Sequence, residues 1–246
     1  MNRAGGRVLW LTWLAARVGG RFSERIAGFF AWRLWFTPWR LELSERARIR
    51  EAGWLEKTTP LSIPFGRGVL HGFTAGEGPS VLLVHGWGDR ASRLGALIAP
   101  LVDAGFRVVA VDLPAHGASP GVRTNAYGVA AAIRATAQHV GGVYGVVAHS
   151  MGGLETIIAL RQELAAERVV LLASAVRLHH AMERFETMFV LRPRAMRGLA
   201  AALTRGLGHD RLLRDPDVVG EAVAFLRSGV EGDRRALPDA ATASRR

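Results

Sequence analysis

Tyr144-Gly145-Val146-Val147-Ala148-His149-Ser150-Met151-Gly152-Gly153 is the stretch on which the fold turns. Residues 144–149 read as a short strand, and residues 152–166 read as a helix. A serine is left on the tight turn between them. Such a turn bends the backbone sharply and needs small residues two positions to either side. Gly152 meets that need after Ser150, and Ala148, with the smallest Cβ cost, meets it before. The turn pushes the hydroxyl out of the sheet and sets the next amide at a helix N-terminus, ready to stabilise an oxyanion. A Ser-Met-Gly-Gly loop that simply starts a helix is the plainer reading of these residues, and this stretch alone leaves both open.

The alternation extends in both directions. Residues 69–74 read as a strand and 76–79 as a turn. Residues 81–85 read as a strand buried on both faces. An amphipathic helix over 91–104 is closed by Gly105, a strand follows over 107–112, and a helix over 124–140 is stopped by Gly141 and Gly142. Residues 169–174 form another strongly apolar strand. Upstream, 22–36 and 43–55 read as helices, with Glu42 and Glu45 spaced to pair with Arg46, Arg48 and Arg50. Pro38, Pro60 and Pro64 punctuate the region before the main domain. This order predicts an α/β fold: a mainly parallel sheet with right-handed crossovers and helices on both faces, a three-layer sandwich. The expected organisation is a basic, Trp-rich helical arm over 1–60, the α/β domain over 61–230 and a disordered tail over 231–246. Ligands of such sheets bind beyond the carboxyl ends of the strands, here after Val84, Val111, Ala148 and Ala173.

Three of those four strand ends carry informative residues. His85-Gly86-Trp87-Gly88 follows the first buried strand, and its glycines let backbone amides approach a substrate oxygen closely. Asp112-Leu113-Pro114-Ala115-His116-Gly117-Ala118-Ser119 follows the next; a polar loop-holding role for Asp112 and His116 is favoured over catalysis. The serine turn is the third. Over residues 65–178 these segments, in this order and at these separations, resemble the α/β-hydrolase fold superfamily. The resemblance implies Ser150 as nucleophile, with an oxyanion hole from the amide of Met151 and an amide near Trp87. His85, Gly86, Gly152 and Asp112 would support the loops around it. A serine in place of aspartate argues against dehalogenase or epoxide hydrolase chemistry. No metal or organic cofactor is implied.

A serine hydroxyl needs a base to remove its proton. The family order implies His209, which follows Gly206-Leu207-Gly208 and precedes an amphipathic helix over 216–226. His179, His180, His139 and His71 are the competitors. The triad acid is unknown. Between Ser150 and His209 the acidic residues are Glu155, Glu163, Glu167, Glu183 and Glu186, and no apolar strand ending in Asp lies between 178 and 205. The C-terminal half therefore reads as shortened, without a cap and without the acid-bearing strand. The apolar stripe over 185–203, with Met188, Phe189, Leu191, Met196 and Leu199, would cover the resulting sheet edge or act as a reduced lid.

The leading expectation is a serine hydrolase that cleaves a small-molecule carboxylic ester or thioester through an acyl-enzyme. A catalytically impaired binding or scaffold protein of the same fold is the alternative. With 246 residues and no cysteine, the chain holds one large domain without disulfides or thiolate chemistry. Its charge of +11 is uneven: residues 1–50 hold ten Arg, three Glu and five of the seven Trp. Three readings fit this arm: packing on the protein's own core or a second subunit, peripheral membrane contact through residues 1–40, or a secretory signal. The apolar run over 8–16 is too short to span a bilayer, and Arg17 follows it with no clear cleavage site. No nucleic-acid motif is present, so nucleic acid is not an expected partner. The expected location is cytoplasmic, with a membrane-peripheral position as the variant. An exposed arm and an open sheet edge would both favour a homo-oligomer.

Overall fold

The computed structural model describes residues 3–19, 21–40 and 43–174, and of the following stretch residues 182, 185–187, 189–191 and 195–196. Three helices come first: α1 (Arg3–Gly19), α2 (Glu24–Trp35) and α3 (Glu45–Leu55). The strands are β1 (Thr59–Phe65), β2 (Gly68–Ala75), β3 (Ser80–Val84), β4 (Arg107–Val111), β5 (Gly145–His149) and β6 (Arg168–Leu172). Helix α4 (Ile98–Asp103) lies between β3 and β4, α5 (Ala126–His139) between β4 and β5, and α6 (Met151–Arg161) between β5 and β6. The sheet order is β1-β2-β4-β3-β5-β6. β4, β3, β5 and β6 are parallel, and β1 and β2 join antiparallel at one edge. The expected fold class is therefore observed: a mainly parallel sheet with helices on both faces.

β3 shows why the centre of the sheet reads as an unbroken apolar run. Leu82 and Val84 face α5 and α6, where Val109, Ile133, Val146, Ile158 and Ala159 complete one core. Val81 and Leu83 face the other way, into a core with Phe73, Leu94, Ile98 and Val108, covered by Trp54 of α3. Each of these side chains contributes about 1.5–3 kcal/mol by leaving water. The helix N-termini are capped as their sequences allow: Asn125 accepts from the Gly128 amide at 2.8 Å to start α5.

Three expectations need correction. Residues 59–65, where Pro60 and Pro64 predict a break ahead of the main domain, form edge strand β1. The two prolines have the same parity, opposite Phe73 and Val69 on β2, while Leu61, Ile63 and Phe65 alternate toward the core. An edge strand tolerates proline where no ladder N–H is needed. Residues 91–104 are not one amphipathic α-helix: a 3-10 segment, Ala91–Leu97, runs into the short α4, with Trp54 packed on Gly95. The helix after Ser150 stops at Arg161, not at 166, because Glu163 takes φ +70° and the Leu164 amide returns to the Ala159 carbonyl at 3.0 Å. That is a C-terminal stop of the kind glycine usually supplies, built here on a glutamate.

The basic arm packs on the rest of the described chain. The Trp13 indole donates to the Phe189 carbonyl at 2.8 Å, and the rings of Trp35, Phe185, Phe189 and Trp39 form a chain with centroids 4.5–5.1 Å apart. Phe185, Phe189, Leu191 and Met196 of the apolar stripe are buried. Among the described residues no helix is long and apolar enough to cross a membrane.

Candidate active site

β5 ends at His149 and α6 begins at Met151, so Ser150 alone makes the turn, with φ +55° and ψ −125°. A non-glycine residue there carries steric strain of about 1–3 kcal/mol. The surroundings hold it: the Ser150 amide donates to the Leu172 carbonyl of β6 at 3.0 Å, and its own carbonyl accepts from Gly153 at 3.1 Å. The Ser150 hydroxyl caps no helix amide. Met151 is the first helical residue, so its amide has no acceptor within α6.

Two glycines permit this packing. A Cβ on Gly86 would lie 2.9 Å from the Ser150 Cβ, which places the 85–88 loop directly against the serine. A Cβ on Gly152 would lie 2.6 Å from the His85 carbonyl and 2.9 Å from that of Val84. Both are backbone atoms at the end of β3 and have little room to give. Gly152→Ala is therefore expected to cost about 1–3 kcal/mol in a urea melt. Wild-type stability in that variant would mean that α6 does not need its close approach to β3.

The loops around Ser150 are fixed by side chains. Asp112 accepts from the amides of Ala91 and Ala118, each at 2.7 Å, and so clamps the 112–119 loop to the segment after β3. The Ser119 hydroxyl donates to the Asp112 carbonyl at 2.5 Å and accepts from the His71 amide at 3.0 Å. His85 is fully buried. Its Nε2 accepts from the Leu113 amide at 3.0 Å, which leaves Nδ1 to donate to the Gly86 carbonyl at 2.8 Å. Burial lowers its pKa to about 4. His116 packs edge-on against His85 and Trp87, donates from Nδ1 to the Pro114 carbonyl at 3.0 Å, and is held by burial at a pKa of about 3. Both rings are neutral at neutral pH; both His85 nitrogens are engaged, and the His116 Nε2 has no hydrogen-bond partner among the described residues.

Of the sequence-derived site residues, Ser150, Met151, Gly152, Gly86, His85, Trp87 and Asp112 converge at the carboxyl ends of β3, β4 and β5. His71 lies on β2 and His139 at the far end of α5, both exposed, and the structure does not bring them there. His209, His179, His180 and Glu183 lie outside the described residues. Glu163 and Glu167 are exposed beyond α6. Glu155 is buried within α6, and its Oε1 has no hydrogen-bond partner. Among the described residues no histidine ring bonds to a carboxylate.

Sequence reasoning missed a strap over this site. After α2 the chain runs through Phe36–Arg40, and the Trp39 carbonyl lies against Gly88, 2.9 Å from where a Cβ would stand. The Arg40 guanidinium donates to the carbonyls of Ser119 at 3.0 Å and of Gly121 and Ala115 at 3.3 and 3.4 Å. The Phe36 carbonyl accepts from the Thr124 amide at 3.0 Å. The strap thus joins the Gly86–Gly88 loop to the 112–121 loop, and the Trp35–Phe185–Phe189–Trp39 rings stand beside it. A single Trp-Arg pair at the end of a helix has no periodicity that would have marked it.

The alpha/beta hydrolase family matches residues 81–245. The pimeloyl-[acyl-carrier protein] methyl ester esterase of Methylococcus capsulatus is 47% identical over 47 residues, which are 19% of this chain and 18% of that protein. A human serine hydrolase-like protein is 41% identical over 66 residues, 25% of this chain and 32% of that one. The chain thus spans a third or less of the length of these curated relatives. Among solved structures, an esterase from Exiguobacterium antarcticum superposes with a TM-score of 0.45 at 20% identity, covering 48% of this chain and 46% of that one.

Proposed function

Because the chain belongs to the alpha/beta hydrolase family, we propose that it is a serine hydrolase cleaving a small-molecule carboxylic ester or thioester through an acyl-enzyme at Ser150. The observation that carries this reading is the strained Ser150 turn, φ +55°, with the Gly86 loop against its Cβ. That strain has no structural return, since the hydroxyl caps nothing, and strain of this kind collects where a side chain must be presented. In the proposed reaction Ser150 Oγ attacks the acyl carbon and its proton passes to His209. The amides of Met151 and of the Trp87 region receive the developing oxyanion. The leaving alcohol or thiol takes the proton back, and water then releases the acid. The ring cluster beside the strap favours an apolar acyl group.

The test is intact-mass analysis of the full chain after exposure to a fluorophosphonate, followed by p-nitrophenyl esters from acetate to decanoate. One adduct per chain and turnover that rises with acyl length are expected. A second reading, a binding or scaffold protein that keeps the fold without turnover, is favoured by the missing carboxylate partner for any described histidine. Folded protein that takes no adduct would make that second reading the correct one.

A further inference from the structure

We propose that the α1–α2 hairpin is a docking surface for an anionic lipid membrane, lying in the headgroup layer without crossing it. The hairpin's two sides differ sharply. α2 buries Ala27, Gly28, Ala31 and Leu34, while Ile26 and Phe29 stand on its opposite side, 49% and 52% exposed, and Phe22, in the turn just before the Ser23 N-cap, is 81% exposed. On α2, Ile26, Phe29 and Arg33 are spaced as one helical stripe. On α1, Leu11 and Val18 lie two turns apart on the outward arc, with Val8, Trp10 and Arg17 around them, and all five are exposed. Seven of the twelve large apolar side chains exposed among the described residues fall between Val8 and Phe29, so the apolar surface is concentrated here.

Charge identifies the occupant. Residues 3–35 hold six Arg and one acidic residue, Glu24. Arg21 and Arg25 are exposed beside Phe22 and Ile26, Arg17 lies over the Trp13 ring at 5.3 Å, and Arg33 lies over Phe29 at 5.8 Å. Aromatic and aliphatic side chains ringed by arginine match an interface that is apolar inside and negatively charged at its surface. A second copy of the same hairpin would instead bring arginine against arginine. The length and hydropathy of α1 and α2 keep them from spanning a bilayer. The other side of the hairpin is tied to the site through Trp13, Trp35 and the strap, so docking would bring the Ser150 side of the molecule near the lipid surface. The proposal does not depend on Ser150 being reactive.

The experiment is co-sedimentation of the full chain with vesicles of phosphatidylcholine and phosphatidylglycerol in equal parts, and with phosphatidylcholine alone. Wild type is compared with F22S/I26S/F29S and with R21Q/R25Q, with circular-dichroism melts to confirm folding and light scattering to give the mass. Wild type should partition onto the anionic vesicles and be released by high salt. Each variant should keep its fold and lose about tenfold or more in partitioning. Wild type that stays in the supernatant, or folded variants that sediment as well as wild type, would overturn the proposal. So would an apolar variant that only halves the mass in solution, since the face would then be a subunit contact.

Discussion

Ser150→Ala is expected to take up no fluorophosphonate and to lose at least about three decades of ester turnover, with little change in melting temperature. The separation of the two effects follows from the backbone. At φ +55° the strain comes from the Cβ and not from the hydroxyl, and alanine keeps the Cβ. Ser150→Gly removes it, and should be equally inactive but more stable by about 1 kcal/mol. The pair of variants therefore distinguishes a nucleophile from a mere helix start. A residue that only began α6 would give an alanine variant with unchanged labelling. His209→Ala should lose labelling in parallel if that residue is the base, because the probe reacts only with an activated serine. Labelling that persists in Ser150→Ala would move the nucleophile elsewhere.

The elements that the sequence made legible are those whose burial is symmetrical. β3, β4 and β5 have core on both sides, so their apolar runs needed no partner to be recognised. The Ser150 turn was legible for a related reason: close approach of the 84–86 and 150–152 backbones admits few residue types. What escaped depends on distant contacts. β1 carries two prolines and is a strand only because β2 lies along it. The 91–97 segment departs from α geometry where Trp54, some forty positions earlier in the chain, packs on Gly95. The arm's two faces have different partners, and composition alone could not divide Trp13, Trp35 and Trp39, which pack inward, from Trp10, Phe22 and Phe29, which do not. The His209 assignment rests on the family order, and both it and the tail over 231–246 fall outside the described residues.

Glu155 gives the second large effect. It lies on α6, five positions after Ser150, where a helix packed against the core calls for an apolar residue, and burial raises its pKa well above the ordinary carboxylate value. The folded protein therefore holds a proton that the unfolded chain releases above about pH 4.5, and stability falls as pH rises from there toward the raised value. The buried histidines act in the opposite sense. His85 and His116 stay neutral in the folded state down to about pH 4 and pH 3. The unfolded chain begins to protonate them below about pH 6.5, so stability falls as pH drops through that window. Above about pH 4.5 the Glu155 slope opposes that of the histidines, and above about pH 6.5 the histidine slope is gone. Glu155→Gln, neutral at every pH, should therefore melt with wild type near pH 4. At pH 8 it should melt several degrees higher, since each 1 kcal/mol moves the midpoint of a domain of this size by about 2–4 °C. Its melting temperature should climb steadily from pH 4 to 6.5 and then level off, because the histidine slope is no longer opposed. Thermal melts of the two proteins across pH 4–8 measure this directly. Curves that run parallel throughout would mean that Glu155 is ionised and solvated in the folded protein, contrary to its burial.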